Sequence, residues 1–90
     1  MQFGDGGTIR LEAVVSNRLA CLLQESPFAR DQTLVFRGEQ SLLKATIKDS
    51  WRLQFWILSQ GAEITVLKPK DLRQRIRGSL QTALDGYRSP

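Results

Sequence analysis

The sequence contains no histidine and only one cysteine, Cys21, among its 90 residues. These absences exclude most transition-metal sites and the histidine-based triads, because imidazole and thiolate groups build both kinds of site. A single cysteine also rules out an internal disulfide, so a reducing cytoplasm is the expected setting. We therefore predict that the chain is not an enzyme and that it carries no metal and no cofactor.

Long apolar runs are also missing. No run approaches the ~20 residues that a membrane span needs, and the start, MQFGDGGTIR, lacks the basic and apolar regions of a signal peptide. The hydrophobic fraction of 41% and the charged fraction of 24% are ordinary for a globular protein. We predict one domain over residues 8–90, preceded at residues 1–7 by a flexible lead-in or an expression remnant.

Alternation of apolar and polar residues predicts four strands. The first covers residues 8–15. A hairpin follows, with strands at 33–37 and 42–48 joined by a tight turn at Gly38 and Glu39. The fourth strand covers 62–67 and ends before Pro69, because proline cannot donate a hydrogen bond to a sheet.

Apolar residues at helical spacing predict three helices. The helices and their expected caps are 18–25 (Ser16 or Asn17), 51–60 (Asp49 and Ser50, with Gly61 at the end) and 72–87 (Asp71). The last helix carries an apolar stripe of Leu72, Ile76, Leu80, Ala83, Leu84 and Tyr87. Cys21, on the leucine-rich first helix, is expected to fill the core rather than react as a thiol.

The order strand, helix, strand, strand, helix, strand indicates an α+β, ferredoxin-like split βαβ fold with an added C-terminal helix. Right-handed crossovers place both crossover helices on one face of a four-stranded antiparallel sheet. The other, open face should display Arg10, Glu12, Thr33, Val35, Arg37, Lys44, Thr46, Thr65 and Leu67.

The second helix is apolar on two opposite sides, which a small lone domain does not require. The two sets are Leu53, Trp56 and Ile57 on one arc and Trp51, Phe55 and Leu58 on the other. The first arc can pack on the sheet. The second is our candidate interface with another chain or domain; alternatively, it packs beneath the C-terminal helix.

Basic residues give a second candidate site. The net charge is +4, and Arg10, Arg37 and Lys44 share the open sheet face, where they could contact a phosphate or an acidic partner or could simply be solvated. Five further basic residues between Lys68 and Arg77 scatter around the edges of the last helix. That scatter favours solvated side chains over a nucleic-acid surface.

The run Trp56-Ile57-Leu58-Ser59-Gln60-Gly61, followed by Ala62-Glu63-Ile64-Thr65-Val66-Leu67-Lys68-Pro69 and by Leu72-Arg73, resembles the end of bacterial WYL-domain transcriptional regulators. In that family a tryptophan-containing helix ends at a glycine, a strand reads roughly valine-leucine-x-proline, and a helix opens with leucine-arginine. This region of the family is the WYL C-terminal extension, or WCX domain. The resemblance covers residues 8–87 and departs at Gln60, where an aromatic is usual, and at Lys68, where an acid is common.

The resemblance implies a non-catalytic module that supports dimerisation and effector sensing in a regulator. It implies a homodimer, upstream WYL and winged-helix domains as partners, DNA contact through the absent winged helix, and a nucleic-acid or nucleotide as one kind of effector. The name-giving WYL residues are not in this sequence, so no ligand site is transferred and we expect an excised domain. The alternative is a module that binds nucleic acid or an anionic ligand directly through the basic residues of the open face.

Overall fold

The computed structural model describes residues 7–88, so residues 1–6 of the predicted lead-in, with Ser89 and Pro90, lie outside the described part. The elements are β1 (Thr8–Ser16), α1 (Asn17–Glu25), β2 (Thr33–Arg37), β3 (Gln40–Lys48), α2 (Trp51–Ser59), a 3-10 turn (Gly61–Glu63), β4 (Ile64–Lys68) and α3 (Lys70–Arg88). The strands form an antiparallel sheet in the order β2-β3-β1-β4. This order confirms the predicted ferredoxin-like fold with a C-terminal helix.

Strand β1 lies at the centre of the sheet and sets its register. It pairs with β3 from Thr8 opposite Lys48 to Ser16 opposite Gln40, and with β4 on its other side. Because side chains alternate along a strand, one face carries the apolar set. On that face Leu11, Ala13 and Val15 of β1 have no exposed surface. All three helices contribute buried side chains to the same cluster, so they cover this face and leave the other open.

Two of the predicted helix caps are confirmed. The Ser16 hydroxyl accepts a hydrogen bond from the Leu19 amide at 3.1 Å, and the Ser50 hydroxyl accepts one from the Leu53 amide at 3.2 Å. Each bond satisfies an amide that the first helical turn leaves without a partner. Gly61 follows α2 with a φ of 61°, as predicted for a residue that ends a helix in the left-handed region.

The hairpin turn at Gly38 is also confirmed, with a φ of 62°. The Asn17 side chain fixes it, because its amide nitrogen donates to the Gly38 carbonyl at 2.7 Å. The Asn17 amide oxygen accepts from the hydroxyl of the buried Ser41 at 2.8 Å. The start of α1 is therefore joined to the turn of the hairpin.

Helix α3 differs from its prediction. It begins at Lys70, directly after the cis Lys68–Pro69 peptide bond, so Asp71 lies in its first turn and is not its cap. Of the predicted apolar stripe, only the N-terminal part is buried, at Leu72 and Ile76. Nineteen residues of helix extend about 28 Å, whereas the five residues of β4 beside it extend about 17 Å. The C-terminal half of α3 therefore keeps apolar side chains in contact with solvent.

The expected burial of Cys21 is wrong. Helix α1 buries Leu19, Ala20 and Leu23, and Cys21 lies on its exposed side together with Leu22, which is 55% exposed. No helix within residues 7–88 has the length and apolarity to cross a membrane.

Candidate functional site

The predicted interface residues of α2 form a surface that we call the α2 patch, made of Trp51, Phe55 and Leu58. Trp51 is 53% exposed and Phe55 is 67% exposed. Leu58 differs from both, because it is half-buried and packs against the hydrophobic core. The patch is therefore two solvent-facing aromatic rings with a leucine beside them that links the surface to the interior.

Contacts with the core and with Phe28 fix the orientation of α2. Leu53 and Ile57 are buried against the sheet, with 4% and 2% of their surface exposed. Trp56 stacks on Phe28, with ring centroids 4.5 Å apart and an interplanar angle of 28°. Because these contacts occupy the other positions of the helix wheel, α2 cannot rotate to bury Trp51 and Phe55 without losing its core contacts.

The loop that carries Phe28 is held in place by Gln32. The Phe28 amide donates to Gln32 Oε1 at 2.7 Å, and Gln32 Nε2 donates to the Leu23 carbonyl at 3.0 Å. The aromatic stack beside α2 is thus anchored to the end of α1. The periodicity of α2 did not predict this contact, since Phe28 lies in a loop without a repeating pattern.

A basic group lies next to the α2 patch. The guanidinium of Arg52 is 5.8 Å from the ring centroid of Trp51, within the range of a cation–π contact. Both residues are exposed. Aromatic and arginine side chains together are the types enriched at protein–protein interfaces.

On the open sheet face, Arg10 is engaged by an acid. Its Nη1 lies 2.9 Å from Asp31 Oδ2 and 3.0 Å from the Thr46 hydroxyl. The Thr46 amide donates to Asp31 Oδ1 at 2.9 Å. Strand β2 begins only at Thr33, opposite Lys44, so the Asp31 carboxylate takes the place of a strand partner for Thr46. This contact joins residues distant in sequence and had no signal in the hydropathy pattern.

The same contacts act on the charge of Asp31. Interaction with the Thr46 side chain, then with its backbone amide, holds the pKa of the Asp31 carboxyl below its ordinary value, against an opposing effect of desolvation. The Arg10 charge lowers this pKa further. These effects stabilise the ionised carboxylate.

Lys44 and Arg37 occupy different surroundings. Lys44 lies directly opposite Glu12 in the register of β1 and β3, which places an acid beside it. The guanidinium of Arg37 forms no hydrogen bond or ion pair with any residue between 7 and 88. Arg37 lines a polar cleft of about 440 Å³ that also includes Glu39 and Glu63, and an apolar cleft of about 280 Å³.

The three predicted anion-binding residues do not form one cluster. Measured along β3, Arg10 lies level with Thr46, and Arg37 lies level with Gln40. These two positions are six residues apart along β3, which corresponds to about 20 Å. Arg10 contacts Asp31, whereas the side chains of Arg37 and Lys44 form no hydrogen bond or ion pair with any residue between 7 and 88.

A groove between α3 and β4 was not predicted. It has a volume of about 290 Å³, with Arg73, Arg77 and Gln81 beside an apolar lining of Ile64, Val66, Ile76, Leu80 and Leu84. Arg73 Nη1 lies 3.4 Å from the Val66 carbonyl and so covers part of the outer edge of β4. The sequence held one indication of this groove, the difference in length between α3 and β4. An apolar stripe on a helix that is longer than the strand beneath it cannot be covered along its whole length.

Comparison with known proteins identifies one family. The family model described as the WCX domain matches residues 7–84. No curated protein and no solved structure matches the chain.

Proposed function

Because the chain belongs to the WCX domain family, we propose that it is the C-terminal regulatory and dimerisation domain of a bacterial WYL-type transcriptional regulator. In this proposal it is cytoplasmic and non-catalytic, it helps to hold subunits together, and it takes part in sensing an effector. DNA is bound by an upstream winged-helix domain of the same regulator, and a nucleic-acid or nucleotide is one kind of effector.

The observation that carries the proposal is the α2 patch. Two large aromatic side chains are more than half exposed on a helix whose other contacts hold it rigidly. Clusters of exposed aromatic side chains are typical of contact surfaces, because burying such side chains on association is strongly favourable. The proposal assigns the α2 patch to contact with a neighbouring chain or domain of the assembled regulator.

The mechanism follows from the rigidity of α2. Because α2 is packed against the core, a change in the packing of the domain would also move the α2 patch. The neighbouring chain or domain in contact with the patch would then be displaced. An effector bound nearby would shift the equilibrium between subunit arrangements by as much as it prefers one arrangement over the other.

The test is Trp51→Ala combined with Phe55→Ala in the 90-residue chain, with native mass measured by sedimentation equilibrium over a dilution series. If the neighbour is a second copy of the chain, the double variant should associate more weakly, with an unchanged circular dichroism spectrum. Leu22→Ala is the matched control, because it truncates an equally exposed apolar residue on α1. Association unchanged from the native chain would exclude the α2 patch from the contact between copies of the chain, and unfolding of the double variant would show that it belongs to the core.

Arg37 supports the alternative function, direct binding of an anionic ligand. Its guanidinium is exposed, lacks an acidic partner within the described residues and borders two clefts. If this function holds, binding of a short single-stranded oligonucleotide should weaken steeply with salt and should fall in Arg37→Ala. Arg18→Ala, an exposed arginine on α1, is the control; equal binding by both variants would exclude a site at Arg37.

A further inference from the structure

The C-terminal half of α3 combines an apolar ridge with an ordered row of charges. The ridge consists of Leu80 and Leu84, which are 45% and 46% exposed and border the groove beside β4. The row consists of Arg77, Gln81 and Asp85, which are spaced by four residues and so follow one flank of the helix.

The row has a direction. Its basic residue is nearer the N-terminus of α3 and its acidic residue is nearer the C-terminus. Gln81 Nε2 donates to Asp85 Oδ1 at 3.0 Å, which keeps the acidic end aligned with the row. A row that runs from positive to negative is complementary to itself only when a second copy runs in the opposite direction.

We infer that α3 pairs with the α3 of a second copy of this chain, antiparallel, with a two-fold axis at Gln81. At a rise of 1.5 Å per residue, Arg77 and Asp85 lie about 6 Å on either side of that axis. Arg77 of each copy is therefore level with Asp85 of the other, and both lie on the flank that antiparallel helices bring together. A parallel pair would place arginine beside arginine and aspartate beside aspartate.

The apolar ridge fits the same axis. Leu80 lies about 1.5 Å on one side of Gln81 and Leu84 lies about 4.5 Å on the other. Two antiparallel copies then alternate their leucines along the axis at steps of about 3 Å, with no leucine level with another. The groove beside the ridge is lined by apolar side chains and provides space for the second copy's leucines.

This pairing rests on the proposed dimerisation and assigns to it a surface other than the α2 patch. Such a contact is isologous, since the same residues of both copies meet around a two-fold axis and the assembly closes at two subunits. The α2 patch then remains for another domain of the regulator.

The test is a charge exchange in the full 90-residue chain, with the dimer dissociation constant measured by sedimentation equilibrium. Arg77→Glu and Asp85→Arg should each raise the dissociation constant roughly tenfold, because each replaces two attractive pairs with two repulsive ones. The double variant R77E/D85R should return it to within about threefold of the native value, since the pairs are restored with their signs exchanged.

Controls reproduce the change in net charge elsewhere. Arg18→Glu and Glu25→Arg alter exposed residues of α1 and should leave the dissociation constant within about twofold. Leu84→Ser removes part of the ridge without changing the charge, and it should weaken the dimer as much as either charge reversal. Circular dichroism spectra should be unchanged in all variants, because the altered side chains are exposed.

Three results would overturn the inference: a native chain that stays monomeric, single variants that associate like the native chain, or a double variant that fails to recover. Loss of the dimer in W51A/F55A with no response to the charge reversals would assign the contact between copies to the α2 patch. In that case the proposed function stands and the α3 pairing fails. The opposite pattern would support the pairing and remove the α2 patch from the contact between copies.

Discussion

Helices α2 and α3 both expose apolar side chains, for different reasons. In α2 the cause lies around the helix, because apolar residues occupy two opposite arcs and the sheet covers only one. In α3 the cause lies along the helix, because its stripe continues after β4 has ended. The α2 patch therefore lies on a helix with buried residues toward both ends, Leu53 and Ile57, whereas the α3 ridge belongs to a helix with buried residues only in its N-terminal half.

The largest effect that this comparison predicts is a difference in stability between alanine variants of two leucines of α3. Leu72 has no exposed surface, and Leu84 is 46% exposed. Leu72→Ala should lower the free energy of unfolding by about 3 kcal/mol, because it removes buried methyl groups and leaves a cavity. Leu84→Ala should lower it by no more than about 0.5 kcal/mol. Urea denaturation followed by tryptophan fluorescence measures both, at a protein concentration where the chain is monomeric.

The two variants serve as controls for each other, since they make the same substitution in the same helix. Similar losses of stability would show that α3 is packed along its whole length. The contrast between an anchored and a projecting half would then be wrong, and the exposed ridge would no longer be available to a second copy.

The sequence was most informative where a single element determines the answer. Alternation placed Leu11, Ala13 and Val15 on the covered face, and the serine caps followed from their positions before apolar runs. The helix wheel of α2 separated Leu53 and Ile57 from Trp51 and Phe55, and the burial of these four residues follows that division. These features depend on local spacing, which the sequence contains in full.

The sequence was least informative where two distant segments must be compared. The stripe of α3 was predicted correctly as a stripe, but its exposure depends on where β4 ends beneath it. Arg10 was predicted either to contact an anionic ligand or to be solvated, and its ion pair with Asp31 was not foreseen, because it depends on where a loop places that carboxylate. No periodicity reports the path of that loop, because loops follow turn chemistry and tertiary contacts rather than a repeat.

A moderate effect is expected at the contact that joins α3 to the start of α2. Arg75 Nη2 lies 2.8 Å from Asp49 Oδ2, with the side chains 43% and 18% exposed. Asp49→Ala and Arg75→Ala should each destabilise the domain by about 1 kcal/mol, and a double-mutant cycle should give a coupling of about 0.5 kcal/mol. Both effects should shrink in 1 M salt. A coupling of zero would mean that packing at Leu72 and Ile76 alone anchors α3.

The smallest effect is expected on the open face, away from both helices. The pKa of Asp31 is lowered in the folded protein, so the ionised carboxylate favours folding. This contribution is complete above the unfolded-state pKa of the group and is lost as pH falls through the lower, folded-state pKa. Asp31→Asn lacks it, so the stability difference from the native chain should be constant near neutral pH and should shrink in acid. Denaturation midpoints measured at pH steps test this, with Glu25→Gln, at an exposed residue of α1, as a carboxylate control. A stability difference that widened in acid would contradict the contacts of Asp31 with Thr46 and Arg10. A change in association in Asp31→Asn would show that the open sheet face, and not only α2 or α3, affects the contact between copies.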